Sequence, residues 1–122
     1  MGSPARGTYY RWLFFAAGPI EAAATGKALG LLAPPERAVT AGYGTYADVM
    51  NTLEQAVSKG PHLCGDHFTA ADLYVASHLN WGMMFNSIEK RPAFERYVAP
   101  ILQRAAHVKA NALDDALMPK KA

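Results

Sequence analysis

A single cysteine, Cys64, stands among the 122 residues, which excludes an internal disulfide and any C-x-x-C redox or zinc motif. So few thiols fit a reducing, cytoplasmic setting. Charge is scarce too: 18% of residues are Asp, Glu, Lys or Arg, and the formal net charge is +2. That is too little for a nucleic-acid surface, and the only dense basic patch is Lys120 and Lys121 in a terminal tail. No apolar run reaches the roughly 18 residues a membrane span needs. The nearest imitation, RWLFFAAGPIEAAA over residues 11–24, has the basic start and small-residue end of a leader peptide, but Pro19 and Glu21 interrupt it and it reads as an amphipathic helix. Neither nucleic acid nor a membrane is an expected partner. The chain also lacks a glycine-rich phosphate loop, a Ser/His/Asp set in a strand-turn-helix context, and the sustained alternation of half-buried strands.

What remains is apolar and helical. With 51% hydrophobic residues, one domain of this length buries roughly two thirds of the surface its unfolded chain exposes. The fold class that follows is all-α, a bundle of about five helices around a central buried one. A first helix is expected over 8–28, with Tyr9, Leu13, Ala16 and Ile20 on one face and a bend between Phe15 and Pro19, because proline lacks the N–H and crowds the carbonyl four residues back. A second is expected over 35–58, opened by Pro35 and carrying Val39, Tyr43, Tyr46, Val49, Met50, Leu53 and Val57 on its apolar side. Gly42 and Gly44 inside it signal a close approach or an irregularity. KGPHLCGDH is a loop, and a helix over 70–81 follows. PAFERYVAPILQR opens the next at Pro92, with Phe94, Tyr97, Val98, Ile101 and Leu102 inward and Pro100 kinking or shortening it. The last is expected over 105–117 on Ala106, Val108, Leu113, Ala116 and Leu117, ended by Pro119 and the lysines. The domain thus spans 8–118, between an N-terminal segment 1–7 and a tail 119–122.

The start of the 70–81 helix carries the clearest local signature. Thr69 as N-cap and Asp72 at the third helical position form a capping box, hydroxyl to the Asp72 N–H and carboxylate back to the Thr69 N–H. Phe68 and Leu73 occupy the two positions of a hydrophobic staple. The helix itself is apolar on nearly every side through Leu73, Tyr74, Val75, Ala76 and Leu79, the pattern of an element enclosed by others.

Side chains capable of chemistry are few. His62, Cys64, Asp66 and His67 crowd one loop, but metal ligands converge from separate elements and nothing elsewhere completes the set. No metal site is assigned. Cys64 as a nucleophile would need a base and an electropositive pocket, and a packed, inert thiol is the simpler reading. For Asp72 the cap explains both spacing and neighbours, so no catalytic residue is assigned. Tyr9, Tyr10, Trp12, Phe14 and Phe15 exceed what one helix face buries, which leaves some of them for a ligand or partner.

GPHLCGDHFTAADLYVASHLNWGMMF resembles the glutathione S-transferase family at the start of its helix 6, where Gly65, Asp66, Phe68, Thr69, Ala71 and Asp72 match a G-D-x-F-[ST]-x-A-D pattern. YYRWLFFAAGPIEAA is similar to helix 4 of bacterial members, GYGTYADVMNTLEQAV to helix 5, and KRPAFERYVAPILQRAA to helices 7 and 8. The resemblance is collinear and covers only the C-terminal helical domain. It implies that the glutathione site, with its thiolate-stabilising residue, belongs to a thioredoxin-like domain, for which the few residues ahead of the first helix leave no room. Glutathione is then a co-substrate of the complete enzyme, no other cofactor is implied, and this chain alone is expected to be inactive. The resemblance further implies a wall for a hydrophobic electrophile, for which Tyr9, Tyr10, Leu13 and Phe14 are the candidates, and a homodimer contact through the family's helices 4 and 5. The competing expectation is a stand-alone interaction or assembly module, which would have polar residues where the thioredoxin-like domain normally sits.

Overall fold

Six α-helices, one π-helical turn and one 3-10 turn make up the computed structural model, which describes residues 3–118. Among these there is no strand, only an isolated antiparallel bridge between His62 and Gly65. Helix α1 is Pro4–Phe15, the π turn is Ala16–Ile20, and α2 is Glu21–Leu29. The 3-10 turn is Pro35–Ala41, followed by α3 at Tyr46–Val57, α4 at Ala70–Met84, α5 at Pro92–Leu102 and α6 at Ala105–Leu117. The tail assigned to 119–122, with the Pro119 stop, lies outside the described residues, as do the first two residues of the N-terminal segment.

Proline places several of these elements. Pro4, Pro35 and Pro92 each stand in a first turn, where a missing N–H costs nothing and a fixed φ is already helical. Pro4 is why α1 starts at residue 4 and not at 8. Pro19 produces the irregularity its chemistry demands, but as a π turn: the Glu21 N–H reaches back five residues to the Ala16 carbonyl, and α2 continues from there. Pro100 is tolerated inside the last turn of α5. Helix α4 outlasts its expected end by three residues and stops at Phe85, followed by Asn86 with φ 59°.

The expected helix over 35–58 does not form as one piece. Gly42 and Gly44 take φ of 76° and 79°, a left-handed conformation that breaks the helix into a 3-10 turn and α3. Thr45 then caps α3 in a full box: its N–H and hydroxyl donate to Asp48 Oδ2 at 2.8 and 2.7 Å, and its hydroxyl accepts from the Asp48 N–H at 3.1 Å. Val39, expected inward, is 87% exposed because the 3-10 turn rotates it away from the core.

The core runs through Ile20, Val49, Met50, Leu53, Val75, Leu79, Ile88, Phe94 and Val98. Helix α4 lies against α1 and the π turn on one side and α5 on the other, while α3 joins α2 to α5. Gly82 lets Ile88 fold back onto α4, since a Cβ there would sit 2.5 Å from Ile88 Cγ1. Arg91 ties the start of α5 to α3 by donating to Glu54 Oε2 at 2.7 Å and Asn51 Oδ1 at 2.9 Å. Two expectations fail on coverage. The apolar face of α6 contains no buried residue, and Val108 and Leu113 are more than half exposed. Helix α4 is central but not enclosed all round: Ala71, Asp72, Val75, Ala76, Leu79, Gly82 and Met83 are buried, while Leu73, Tyr74, Trp81, Met84 and the following Phe85 are exposed.

Candidate functional site

The open side of α4 is where the described surface becomes a site. Tyr74, His78, Trp81 and Phe85 recur at spacings of four, three and four, which aligns them in one stripe along the helix. On α2, Glu21, Thr25, Ala28 and Leu29 form the facing stripe. Together they bound a groove of about 590 Å³, floored by Ala24 and Gly82. That volume lies within the range that receives small organic molecules.

The groove is polarised along its length. Trp81 and Phe85 stand with ring centroids 4.8 Å apart and are 64% and 59% exposed, an apolar surface that water covers poorly. Tyr74 and His78 form a second ring pair at 4.9 Å. Beside them His78 Nδ1 lies 3.6 Å from Glu21 Oε2, and Thr25 donates to Glu21 Oε1 at 3.3 Å. The His78 ring is largely buried and its Nε2 has no partner. Burial therefore pulls its pKa below the ordinary imidazole value, against the opposing pull of Glu21. A planar apolar molecule with one polar end fits this arrangement.

The start of α4 is held by a fully buried carboxylate. Asp72 Oδ2 accepts from the Thr69 N–H at 2.8 Å and the Thr69 hydroxyl at 3.0 Å, and Oδ1 accepts from the Leu63 N–H and the Tyr97 hydroxyl, both at 2.8 Å. The two halves of the box are unequal. The Thr69 hydroxyl is within capping reach of the Asp72 N–H, but that N–H has its well-formed bond to the Thr69 carbonyl at 3.1 Å. Asp72 thus fastens the 58–69 loop, the α4 start and α5 at one point. Burial, followed by the bond to Asp72, pushes the Tyr97 phenol far above its ordinary value. Tyr97 gave no sequence signal beyond its inward register, because a partner 25 residues away leaves no local pattern.

The remaining sequence candidates are scattered. Phe68 faces His62 edge-on at 5.7 Å and carries the Arg104 guanidinium 3.7 Å from its centroid, while Leu73, the other staple position, is 48% exposed. Tyr9 and Leu13 pack on the core, whereas Tyr10 and Phe14 stack on each other at 6.2 Å on the outer side of α1. None of the four lines the α2/α4 groove. Cys64 is half-buried with Sγ 3.9 Å from the Thr69 hydroxyl, and among the described residues no three of His, Cys, Asp and Glu stand together as metal ligands. No helix among them is long and apolar enough to cross a membrane.

Comparison with known proteins gives two findings. A family model described as the glutathione S-transferase C-terminal domain matches residues 36–99. Among solved structures, a glutathione S-transferase from Actinobacillus pleuropneumoniae superposes with a TM-score of 0.72 at 21% identity, covering 97% of this chain. The chain spans 57% of that protein's length. No curated protein matches the sequence significantly.

Proposed function

Because the chain belongs to the glutathione S-transferase C-terminal domain family, we propose that it acts as the electrophile-side half of a glutathione transferase. In this reading a thioredoxin-like domain binds glutathione and holds its thiolate, and the α2/α4 groove supplies the apolar wall beside it. The sulfur attacks the carbon bearing the leaving group, and the leaving group departs with its bonding electrons. The wall's contribution is to bind, orient and shield from water, which raises the effective concentration of the reacting pair. These residues supply no thiolate-activating group.

The observation that carries the reading is the uncovered aromatic stripe of α4, with Trp81 and Phe85 more than half exposed along the groove. The same stripe weighs against a stand-alone assembly module, which would have replaced Trp81 and Phe85 by polar residues. Tyr10 and Phe14 offer a second apolar surface on α1, and we assign it, with the exposed side of α3, to a homodimer contact. With Tyr9 and Leu13 behind them, they then belong to the subunit boundary more than to the electrophile wall.

Titration of the purified chain with a chloronitrobenzene tests the reading. Fluorescence of the exposed Trp81, followed in a Trp12→Phe background, is expected to be quenched saturably, with no conjugate formed when glutathione is added. Conjugation by the chain alone, or quenching without saturation, would overturn it. Sedimentation of wild type against Tyr10→Ser/Phe14→Ser tests the dimer assignment: wild type should sediment as a dimer and the variant as a monomer.

A further inference from the structure

A second cleft, about 460 Å³, opens between α1, the end of α3 and the 58–69 loop. Its chemistry is unlike that of the α2/α4 groove. Two cations line it from separate elements, Arg11 of α1 and Lys59 just beyond α3, and among the described residues neither makes an ion pair. Arg11 lies over the Trp12 ring, 5.2 Å from the centroid, a stacking that leaves the in-plane N–H groups of a guanidinium free to donate. Thr52 and Gln55 on α3 add neutral polar groups, and Asp66 is the one acid in the lining. His62 closes the wall: 23% of its side chain is exposed, while its Nδ1 is buried without a partner, 3.8 Å from Asp72 Oδ1.

We propose that this cleft binds a compact phosphate-bearing anion between Arg11 and Lys59, with Thr52 and Gln55 hydrogen-bonding its remaining oxygens. Two unpaired cations facing one cavity call for more than one negative charge, and a planar monocarboxylate would be satisfied by the Arg11 fork alone. A tetrahedral phosphate accepts from several directions at once, which suits donors arriving from α1, α3 and the loop. Gly60 leaves its backbone uncovered at the same cavity, with nothing within 4 Å of where a Cβ would stand. Through His62 the bound anion would also touch the cap, since the same imidazole lines the cleft and lies against the Asp72 carboxylate.

The test is calorimetric titration with inorganic pyrophosphate and with citrate at matched ionic strength, together with amide chemical-shift mapping. Pyrophosphate should bind saturably, shift the amides of Lys59, Gly60 and His62, and slow amide exchange at Leu63 and Thr69. Arg11→Gln/Lys59→Gln, whose side chains are on the surface and whose fold is checked by circular dichroism, should weaken binding by about tenfold or more. Arg37→Gln, an exposed cation on the 3-10 turn, should leave it unchanged. Absence of saturable binding, equal or tighter binding of citrate, or an equal loss in Arg37→Gln would each overturn the proposal.

Discussion

Replacing Asp72 by asparagine keeps the shape of the most connected polar group in the molecule and removes its charge. The carboxylate accepts four hydrogen bonds at 2.8–3.0 Å and is wholly buried. An asparagine can offer its oxygen to only one side. If the oxygen stays with the Leu63 N–H and Tyr97, the amide N–H groups confront the Thr69 N–H; if it turns, they confront the Leu63 N–H. The two hydroxyls can rotate to accept, but neither backbone N–H can. One buried donor is therefore left unpaired and the charge assistance of the others is lost, a cost of about 2–4 kcal/mol. Asp72→Ala strands every donor at once and should cost about 4–5 kcal/mol, much of the reserve of an ordinary domain. Tyr97→Phe removes one donor and leaves three, so about 1–2 kcal/mol is expected. Urea unfolding followed by far-ultraviolet circular dichroism measures these values, and the Asp72→Asn/Tyr97→Phe pair should couple by at least about 1 kcal/mol. An Asp72→Asn protein within about 0.5 kcal/mol of wild type, or strictly additive changes, would refute the argument that one carboxylate ties the loop, α4 and α5 together.

Three further outcomes follow from local geometry. Thr69→Ala should cost only about 0.5–1 kcal/mol in the same assay, the low end for a lost cap, because the hydroxyl here mainly donates to Asp72. Gly82→Ala should cost about 1–3 kcal/mol through overpacking against Ile88, and Gly82→Ala/Ile88→Val should recover part of it. His78 is held below the ordinary imidazole value of 6.5, so its neutral form is favoured by the fold; its contribution is fully present above that pH and lost as pH falls below it. Unfolding midpoints measured between pH 7.5 and 5 should accordingly fall less steeply in His78→Gln than in wild type.

The helix starts at Ala70 and Pro92 were legible because T-x-x-D and a first-turn proline act locally. So was the class of the fold, since helical periodicity without alternation admits little else. The break at Gly42 and Gly44 was legible only as an irregularity: the apolar spacing of Val39, Tyr43 and Tyr46 runs on through it, and the left-handed φ of the two glycines shows that the helix ends there. A second T-x-x-D, Thr45 to Asp48, marks the true start of α3, but the continuous apolar pattern across it conceals the boundary. The groove was hidden for a different reason. A helix apolar all round states that every side is to be covered, but not which cover lies within the same domain. The resemblance directs attention to the aromatic cluster of α1, whose Tyr10 and Phe14 are exposed as well, and only the fold brings a second open surface into being between α2 and α4.

The most direct test of the account is to map the binding of a chloronitrobenzene on the isotope-labelled protein. Shifts confined to the Trp81 indole, the Tyr74 and Phe85 rings and the Leu29 methyls would agree with an electrophile wall between α2 and α4. Shifts centred on Tyr9, Tyr10, Leu13 and Phe14, with the α4 stripe unmoved, would contradict it.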